Sequence, residues 1–404
     1  MNFLQVFTKN KNLCIIIAIG FLLGLGNPFY DYGLAYAVPD EFISHHDTIT
    51  FLTTRIVKHT TYYFPLWALI QLPFILLVQT FLILIGKFRS FSEANNYWIL
   101  HSGMFLPLAR FLSTAISSLA IVWIYKIGEL IRTKKAAILA ATLFAFSFSR
   151  AHQAHFGRTS SLYLFFSLAL LYFSIRFLKY KKLDDIRLAT GNWFLSVLTY
   201  PTGVAFLGLV VYVLIKSQSL KRVLCDEKWL KIVSAGTLAL IASLYICTGI
   251  FKHYFHQVDI NQDGVNLFGK VIFYVKSLVA YELFLPILAV LGIRKISKQG
   301  RPLVLTFGLF SLLYLLVYLS KNSLEARYIY MLSPFIITGA SVFLASLSQK
   351  WKWFFVGSYI FYSLMLNILF TRLLFRQSTE YQVREWIKAN IAKENSILMT
   401  ADSF

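Results

Sequence analysis

Long uncharged apolar runs alternate with short basic connections along most of the chain, and this alternation limits the folds open to it. A run of 18 or more residues without charge is long enough to cross a bilayer core of about 30 Å. With 57% hydrophobic residues, a soluble fold could not bury all the apolar side chains. A membrane β-barrel would show short alternating segments instead. The pattern therefore predicts an all-α polytopic membrane protein.

We predict a bundle of about eleven transmembrane helices. Their approximate positions are 13–30, 104–126, 136–157, 161–178, 189–201, 203–216, 231–250, 271–293, 303–320, 330–348 and 353–371. The fifth and sixth of these are each short for a full crossing of about 20 residues, so they predict a hairpin that dips into the membrane.

The connections after the second, fourth, sixth, eighth and tenth predicted helices carry clusters of Lys and Arg. These clusters lie at 126–135, 176–187, 216–231, 294–301 and 350–352. Short loops rich in Lys and Arg face the cytoplasm, which predicts a cytoplasmic N-terminus and an outer C-terminus in the inner membrane of a prokaryote. The same loops and anionic lipid account for the net charge of +21, so no nucleic-acid partner is predicted.

The segment Phe64–Gly86 is uncharged over 23 residues and would pass for a further span. If it crossed, every later basic connection would change sides. We therefore predict a juxtamembrane helix on the outer face, within a first outer loop at 31–103. The membrane domain is predicted at 1–375, and 376–404 is predicted to begin an outer-face domain, opening with a helix after Ser378.

A compact group of acids and histidines follows the first predicted helix. Asp40 and Glu41 are adjacent, and His45 lies about one helical turn further on. A carboxylate at the membrane surface can act as a general base toward a hydroxyl or an amine. Asp40 with a histidine also offers mixed oxygen and nitrogen ligands for a divalent metal. The remaining interpretation is a hydrated loop whose charges face water.

Several arginines are predicted at the outer ends of helices, against the trend of the basic connections. They are Arg110, Arg150, Arg158 and Arg327. A guanidinium suits two-point binding of phosphate, although each of these side chains could instead extend to lipid headgroups. His152 and His155, spaced i and i+3, can share a helix face, where they would bind a metal or lie at the membrane interface.

Five local motifs occur in a fixed order along nearly the whole chain. They are VPDEF at 38–42, YYFPLWALIQ at 62–71, an Arg-led helix with a basic turn and an Ala-rich helix at 107–147, LEARYIYMLSPFI at 324–336, and STEYQVREWIKANIAKENSIL at 378–398. This order resembles that of the GT-C glycosyltransferases that use polyprenyl-phosphate sugars. That group includes the protein O-mannosyltransferases (glycosyltransferase family 39) and the lipid A aminoarabinose transferase.

The resemblance implies roles for individual residues. Asp40 would be the catalytic carboxylate or a metal-proximal acid, with Glu41 as its neighbour. Arg110 and Arg327 would act on the lipid phosphate. The chain departs from the family after the third predicted helix, where many members carry a second acid and Ser160 or Ser161 takes its place here.

Arg158 and Tyr328 complete the predicted substrate-binding set, and His45 and His155 are the candidate ligands of a divalent metal. We expect an inverting transfer of a sugar from a polyprenyl-phosphate carrier to a protein, lipid or glycan acceptor outside the cytoplasm. The rival interpretation is a secondary transporter or flippase for a lipid-linked or anionic substrate. Transporters carry ionisable residues near the middle of the membrane, which the sequence does not clearly indicate here.

Overall fold

The computed structural model describes residues 10–29, 66–100, 106–246, 267–298, 300–319, 326–375 and 379–391. Every regular element within these ranges is a helix. The α-helices are α1 (Lys11–Leu25), α2 (Leu66–Leu84), α3 (Phe91–Leu100), α4 (Leu106–Ile131), α5 (Lys134–Phe146), α6 (Phe148–Ala154), α7 (Ser160–Tyr180), α8 (Leu183–Thr199), α9 (Leu207–Lys216), α10 (Leu220–Leu224), α11 (Glu227–Ile246), α12 (Leu267–Glu282), α13 (Leu285–Ile293), α14 (Gly300–Leu319), α15 (Ser333–Leu344), α16 (Gln349–Leu374) and α17 (Thr379–Asn390). Two 3₁₀ segments, Pro201–Phe206 and Ala326–Met331, precede α9 and α15.

The helical prediction is confirmed, because each predicted span coincides with one helix or with two consecutive helical segments. Within the described ranges, α2, α4, α7 and α16 are each long and apolar enough to cross a membrane. The bent pair α12 and α13 makes a fifth candidate. The chain is a multi-pass membrane protein.

Three spans predicted as continuous are interrupted, and that part of the prediction is wrong. The third predicted span breaks at Ser147, whose side chain accepts a hydrogen bond from the N–H of Arg150 and so begins α6. The eighth bends by 92° between α12 and α13, where Leu283 has a φ of 50°. The tenth is the 3₁₀ segment Ala326–Met331 followed by α15, which has Pro334 in its first turn.

The basic connections meet at one end of the bundle, which we call the basic end. The N–H of Ser297 donates to the carbonyl of Ile131 at 3.1 Å, joining the α13–α14 and α4–α5 connections. Lys181 Nζ donates to the carbonyl of Ser217 at 3.2 Å, joining two further connections. These contacts place the basic connections at the same end of the bundle, as the Lys and Arg clusters of the sequence predict.

Small residues let helices approach closely within the half of the bundle nearest the basic end. A Cβ added to Gly292 on α13 would lie 1.9 Å from the carbonyl oxygen of Gly339 on α15. A Cβ added to Gly128 on α4 would lie 2.7 Å from the Cα of Ala137 on α5. Because lipid supplies no hydrophobic drive between helices, such close van der Waals contact is a main source of helix association in membranes.

Helix α2 occupies the segment predicted to be juxtamembrane. It forms a helical hairpin with α3, in which Gln79 Nε2 donates to Asn95 Oδ1 at 2.8 Å and Ile75 packs on Trp98. Its 19 residues satisfy the length of a span, so its non-crossing placement stays a prediction. A helix also forms at Thr379–Asn390, as the capping pattern predicts, whereas the division into domains at 375 stays a prediction.

Candidate functional site

Four helix ends converge at the end of the bundle opposite the basic end, which we call the opposite end. Asn27, just after α1, donates from Nδ2 to the carbonyl of Leu374 at the end of α16, at 2.8 Å. Arg110, near the start of α4, donates from Nη1 to the carbonyl of Pro28 at 3.1 Å. Trp67 Nε1 of α2 donates to the carbonyl of Gly157 at 3.1 Å. These bonds fix the point from which the chain continues toward the acidic motif.

The acidic motif itself is not part of the description. Asp40, Glu41 and His45 lie outside the described residues, so their predicted roles as base and metal ligand stay predictions. What the structure adds is the starting point of the loop, because Pro28 precedes Asp40 by twelve residues and is held by Arg110. A chain of twelve residues can span up to about 40 Å, so this contact limits the region that Asp40 can reach.

Arg110 is buried inside the bundle, with 2% of its surface exposed. The Arg110 backbone is in close contact with Gly157 of the α6–α7 connection. A Cβ added to Gly157 would lie 3.2 Å from the backbone nitrogen of Arg110. The predicted contact with a lipid phosphate is untested. The structure does place the guanidinium at the opposite end, on the carbonyl of Pro28.

His155 packs against the backbone at the end of α1. Gly26 there has a φ of 48°, and a Cβ added to it would overlap the imidazole ring. The ring also lies 5.0 Å from that of Phe370. Within the described ranges, no group of three His, Cys, Asp or Glu side chains is close enough to hold a metal. The described residues therefore do not form a metal site, and no step below passes through a metal.

Arg158 and Tyr328 lie on different elements near this end. The Arg158 guanidinium lies 5.0 Å from the ring centre of Phe156, within cation–π distance. Tyr328 is half-buried on the segment Ala326–Met331, which packs against α6 and α12. The backbone of Arg327 belongs to the same segment, and its side chain lies outside the described atoms. The structure thus brings the Arg327–Tyr328 segment next to α6.

Buried and half-buried aromatic rings fill the space between α6, α12 and α16, and we call them the aromatic cluster. The cluster consists of Phe148, His152, Phe156, Tyr281 and Phe370. The His152 ring lies 4.8 Å from that of Phe370, and Phe148 packs edge-on to Tyr281 at 4.9 Å. His155 also packs on Phe370, so this ring contacts both histidines, and their predicted role as metal ligands stays a prediction.

Arg150 does not belong with the phosphate-binding candidates, and that interpretation is wrong. Its guanidinium is 1% exposed and donates to the carbonyls of Phe144 and Ala145 at the end of α5 and of Gly20 on α1. Carbonyls at a helix end have no partner within their own helix. Arg150 therefore satisfies the carbonyls that the break at Ser147 leaves exposed, and it ties α1 to α5.

Glu282 is a buried acid that the sequence analysis missed. Its carboxylate accepts hydrogen bonds from Ser147 Oγ at 2.9 Å, from Ser333 Oγ, and from the Tyr359 hydroxyl at 2.6 Å. A single charge inside an apolar run, four residues before Pro286, is the signal that indicates it. An ionisable residue within a span points to function by default. The prediction that no ionisable residue clearly lies near the middle of the membrane is therefore wrong, because Glu282 is such a residue.

Comparison with known proteins identifies the fold. No protein-family model matches the chain, and no curated protein matches it in sequence. The structure superposes on ArnT from Cupriavidus metallidurans, solved with undecaprenyl phosphate, with a TM-score of 0.61 and 14% identity, covering 93% of this chain and 72% of that one. This is the GT-C fold. The resemblance predicted from the motif order is confirmed at the level of the fold.

A second protein with the GT-C fold matches as well. The archaeal oligosaccharyltransferase AglB from Archaeoglobus fulgidus, solved with an inhibitory peptide and a dolichol-phosphate, gives a TM-score of 0.54 at 12% identity. The match covers 96% of this chain and 59% of AglB. In a second crystal form, without ligand, ArnT is covered over 61% of its length. The present chain thus corresponds to about three fifths to three quarters of these longer proteins.

Proposed function

We propose that this protein is an integral-membrane glycosyltransferase that moves a sugar from a polyprenyl-phosphate carrier to an acceptor outside the cytoplasm. The observation that carries the proposal is the similarity of fold over 93% of the chain to ArnT, which was solved bound to undecaprenyl phosphate. AglB, which shares the fold, was solved with another polyprenyl phosphate, dolichol-phosphate. The motif order of the sequence supports the same class independently.

In this proposal the bundle has about eleven membrane helices, of which the fifth and sixth form the dipping hairpin, and the basic end lies in the cytoplasm. Helix α2 lies along the outer surface. Arg110, Arg158 and the Arg327–Tyr328 segment then belong to the outer half, next to the point where the chain continues toward Asp40. A carrier with its tail in the bilayer would present its phosphate at this level.

The proposed reaction is a single displacement. The Asp40 carboxylate, beside Glu41, takes the proton of an acceptor hydroxyl or amine, and the acceptor atom attacks the anomeric carbon. The bond from that carbon to the phosphate oxygen breaks, and the polyprenyl phosphate leaves with the electron pair. Arg110, Arg158 and Arg327 stabilise the developing negative charge, with Tyr328 as a further donor. One displacement inverts the anomeric centre.

A divalent metal, if bound, would add positive charge near the leaving phosphate. The ligands proposed for it are His45 and His155. His155 would have to turn away from Gly26 to reach a metal, because its ring now packs on that backbone. No step above depends on it.

The test is transfer of a radiolabelled sugar from a panel of polyprenyl-phosphate donors in membranes that contain the protein. We expect Asp40→Asn to lower transfer by about a hundredfold or more, as is usual when a general base is lost. Asp47→Asn, at the third acid of the same segment, is the matched control and should retain transfer. Wild-type rates in folded Asp40→Asn would refute the assigned base, and a chelator added in parallel reports on the metal.

One observation favours the alternative that the protein is a transporter. Glu282 is an ionisable group deep in the bundle, at a bent helix pair, and discontinuous helices are common at the substrate sites of transporters. Against this, the carboxylate is fully buried and accepts hydrogen bonds from three hydroxyl groups. Movement of a labelled polyprenyl phosphate across proteoliposomes without any acceptor would favour the transporter. Transfer without such movement favours the enzyme.

A further inference from the structure

Glu282 connects four helices of the bundle through its carboxylate. It is the last residue of α12, and its partners are Ser147 before α6, Ser333 at the start of α15, and Tyr359 in α16. The two serine hydroxyls are also 3.2 Å from each other. With no part of the side chain exposed, the carboxylate would be costly to bury without these donors. We call these four residues the carboxylate hub.

The hub lies where three spans are interrupted. Helices α5, α13 and α15 each connect the hub with the basic end. Their lengths are 13, 9 and 12 residues, respectively. At 1.5 Å per residue these helices are about 14 to 20 Å long, so the three interruptions lie at nearly one depth. Tyr359 is the eleventh residue of α16 counted from the same end, which gives a similar depth.

The elements beyond the hub carry the candidate substrate-binding residues. They are α6, α12 and the segment Ala326–Met331, which pack on one another. Helix α6 leads directly into His155 and Arg158, and the segment carries Tyr328. Two residues of the aromatic cluster adjoin the hub in sequence, Phe148 next to Ser147 and Tyr281 next to Glu282.

We infer that Glu282 is a positioning residue for binding of the lipid-linked donor. Because a carboxylate only accepts hydrogen bonds, it orients all three hydroxyls toward one point and fixes the beginnings of α6 and α15 relative to α12 and α16. This sets where Arg158 and Tyr328 lie at the opposite end. The inference rests on the proposed function, since it assumes that these residues contact the donor.

The test uses Glu282→Gln beside Asp185→Asn in the full-length protein in nanodiscs. Glutamine keeps the shape but brings an N–H₂ group that competes as a donor with the three hydroxyls. Asp185 is the matched control because it is also a buried acid, 2% exposed, but it pairs with Arg176 at 3.3 Å near the basic end. The readouts are hydrogen exchange of the backbone and binding of undecaprenyl phosphate.

In Glu282→Gln we expect amide exchange to accelerate by about tenfold in α6 and in the segment Ala326–Met331, with α7 unchanged. Affinity for undecaprenyl phosphate should fall by about five- to tenfold, a change comparable to the loss of one ordinary hydrogen bond. Asp185→Asn should alter neither readout. Tyr359→Phe, which removes one donor and keeps the carboxylate, should shift both in the same direction by less.

Two results would overturn the inference. One is unchanged exchange in α6 and the segment Ala326–Met331 of folded Glu282→Gln. The other is an equal effect in Asp185→Asn, which would mean general destabilisation. If Glu282→Gln does not fold, Tyr359→Phe tests the inference instead, with the same measurements of hydrogen exchange and of undecaprenyl phosphate binding. Wild-type protein that neither binds undecaprenyl phosphate nor transfers sugar would instead refute the proposed function, and the exchange readout would still test the hub.

Discussion

The two halves of the bundle are held together by different chemistry. Near the basic end, helices touch backbone to backbone, as Gly292 and Gly339 do between α13 and α15. Toward the opposite end, side chains donate hydrogen bonds to carbonyls and carboxylates. Thr114 bonds the carbonyls of Gly24 and Ala154, and Arg150 bonds three others.

This difference explains why the three interrupted spans are interrupted at the depth of the hub. Close backbone contact requires regular helices with matched small residues, and it leaves no room for an irregular segment. A helix that ends inside a membrane exposes carbonyls and N–H groups, which must be satisfied by protein. Polar side chains supply those partners in the half beyond the hub. In the described residues, the interruptions at Ser147, Leu283 and Ala326–Met331 therefore lie at the hub or beyond it.

The strongest test of the polar half is Arg150→Met. Methionine fills much of the volume but donates no hydrogen bond, so the carbonyls of Gly20 and Ala145 each lose a donor and that of Phe144 keeps only the N–H of Ser147. We expect a loss of about 3 kcal/mol or more in stability, because buried groups are left unsatisfied. Thermal melting in detergent measures it. Arg132→Met, at an exposed arginine, is the control and should melt near the wild-type temperature.

The packed half is tested by Gly292→Leu. A side chain at this position meets the carbonyl of Gly339 at once, so α13 and α15 must separate. We expect a loss of about 1 to 3 kcal/mol, as for overpacked cores. Gly357→Leu on α16 is the control, since an added Cβ there has nothing within 4 Å. Equal melting temperatures for the two variants would contradict the proposed backbone contact.

The smallest effect is expected in the α10–α11 connection of the basic end, with Asp226→Asn. The Arg187 guanidinium, followed by the N–H of Trp229, holds the pKa of Asp226 below its usual value. A lowered carboxyl pKa stabilises the fold above the unfolded value of about 3.9, and the effect is lost as the pH falls through the folded value. Wild type should therefore melt above the variant at pH 7, and the difference should vanish in acid.

The control for that pair is Glu227→Gln. Glu227 pairs with Lys231 at 2.6 Å, but both side chains are largely exposed, so the pair contributes little. We expect no pH-dependent difference for this variant. A pH-independent effect of Asp226→Asn would mean that the contribution of Asp226 is not its charge.

Helix positions and their grouping were predictable because both follow from long-range sequence patterns. An apolar run of about 20 residues indicates a span. The positive charge of the short connections indicates which side of the membrane they face. The positions of Arg110 and Arg158 at helix ends followed from the same reasoning. The motif order then indicated the GT-C fold, which the superposition on ArnT confirms.

The interruptions and the hub were not predictable in the same way. A break at Ser147 or Leu283 does not change the mean hydropathy of the segment, so the pattern still indicates one continuous span. Arg150 and Arg158 look alike in sequence, yet one is buried among helix-end carbonyls and the other packs on Phe156. Only the tertiary arrangement brings Glu282 to hydroxyls that are far away in the chain.

The contact of Gly26 with His155 has a consequence for how such a protein can diversify. Among the described residues, the chain leaves α1 in a direction set by the positive φ of Gly26, by a ring more than a hundred residues later, and by the bonds of Asn27 to Leu374 and of Pro28 to Arg110. Loops of different length or composition can therefore be exchanged onto one bundle without changing where they begin. A change confined to the loop would leave the bundle as it is, whereas a side chain at Gly26 would alter the start of every such loop at once.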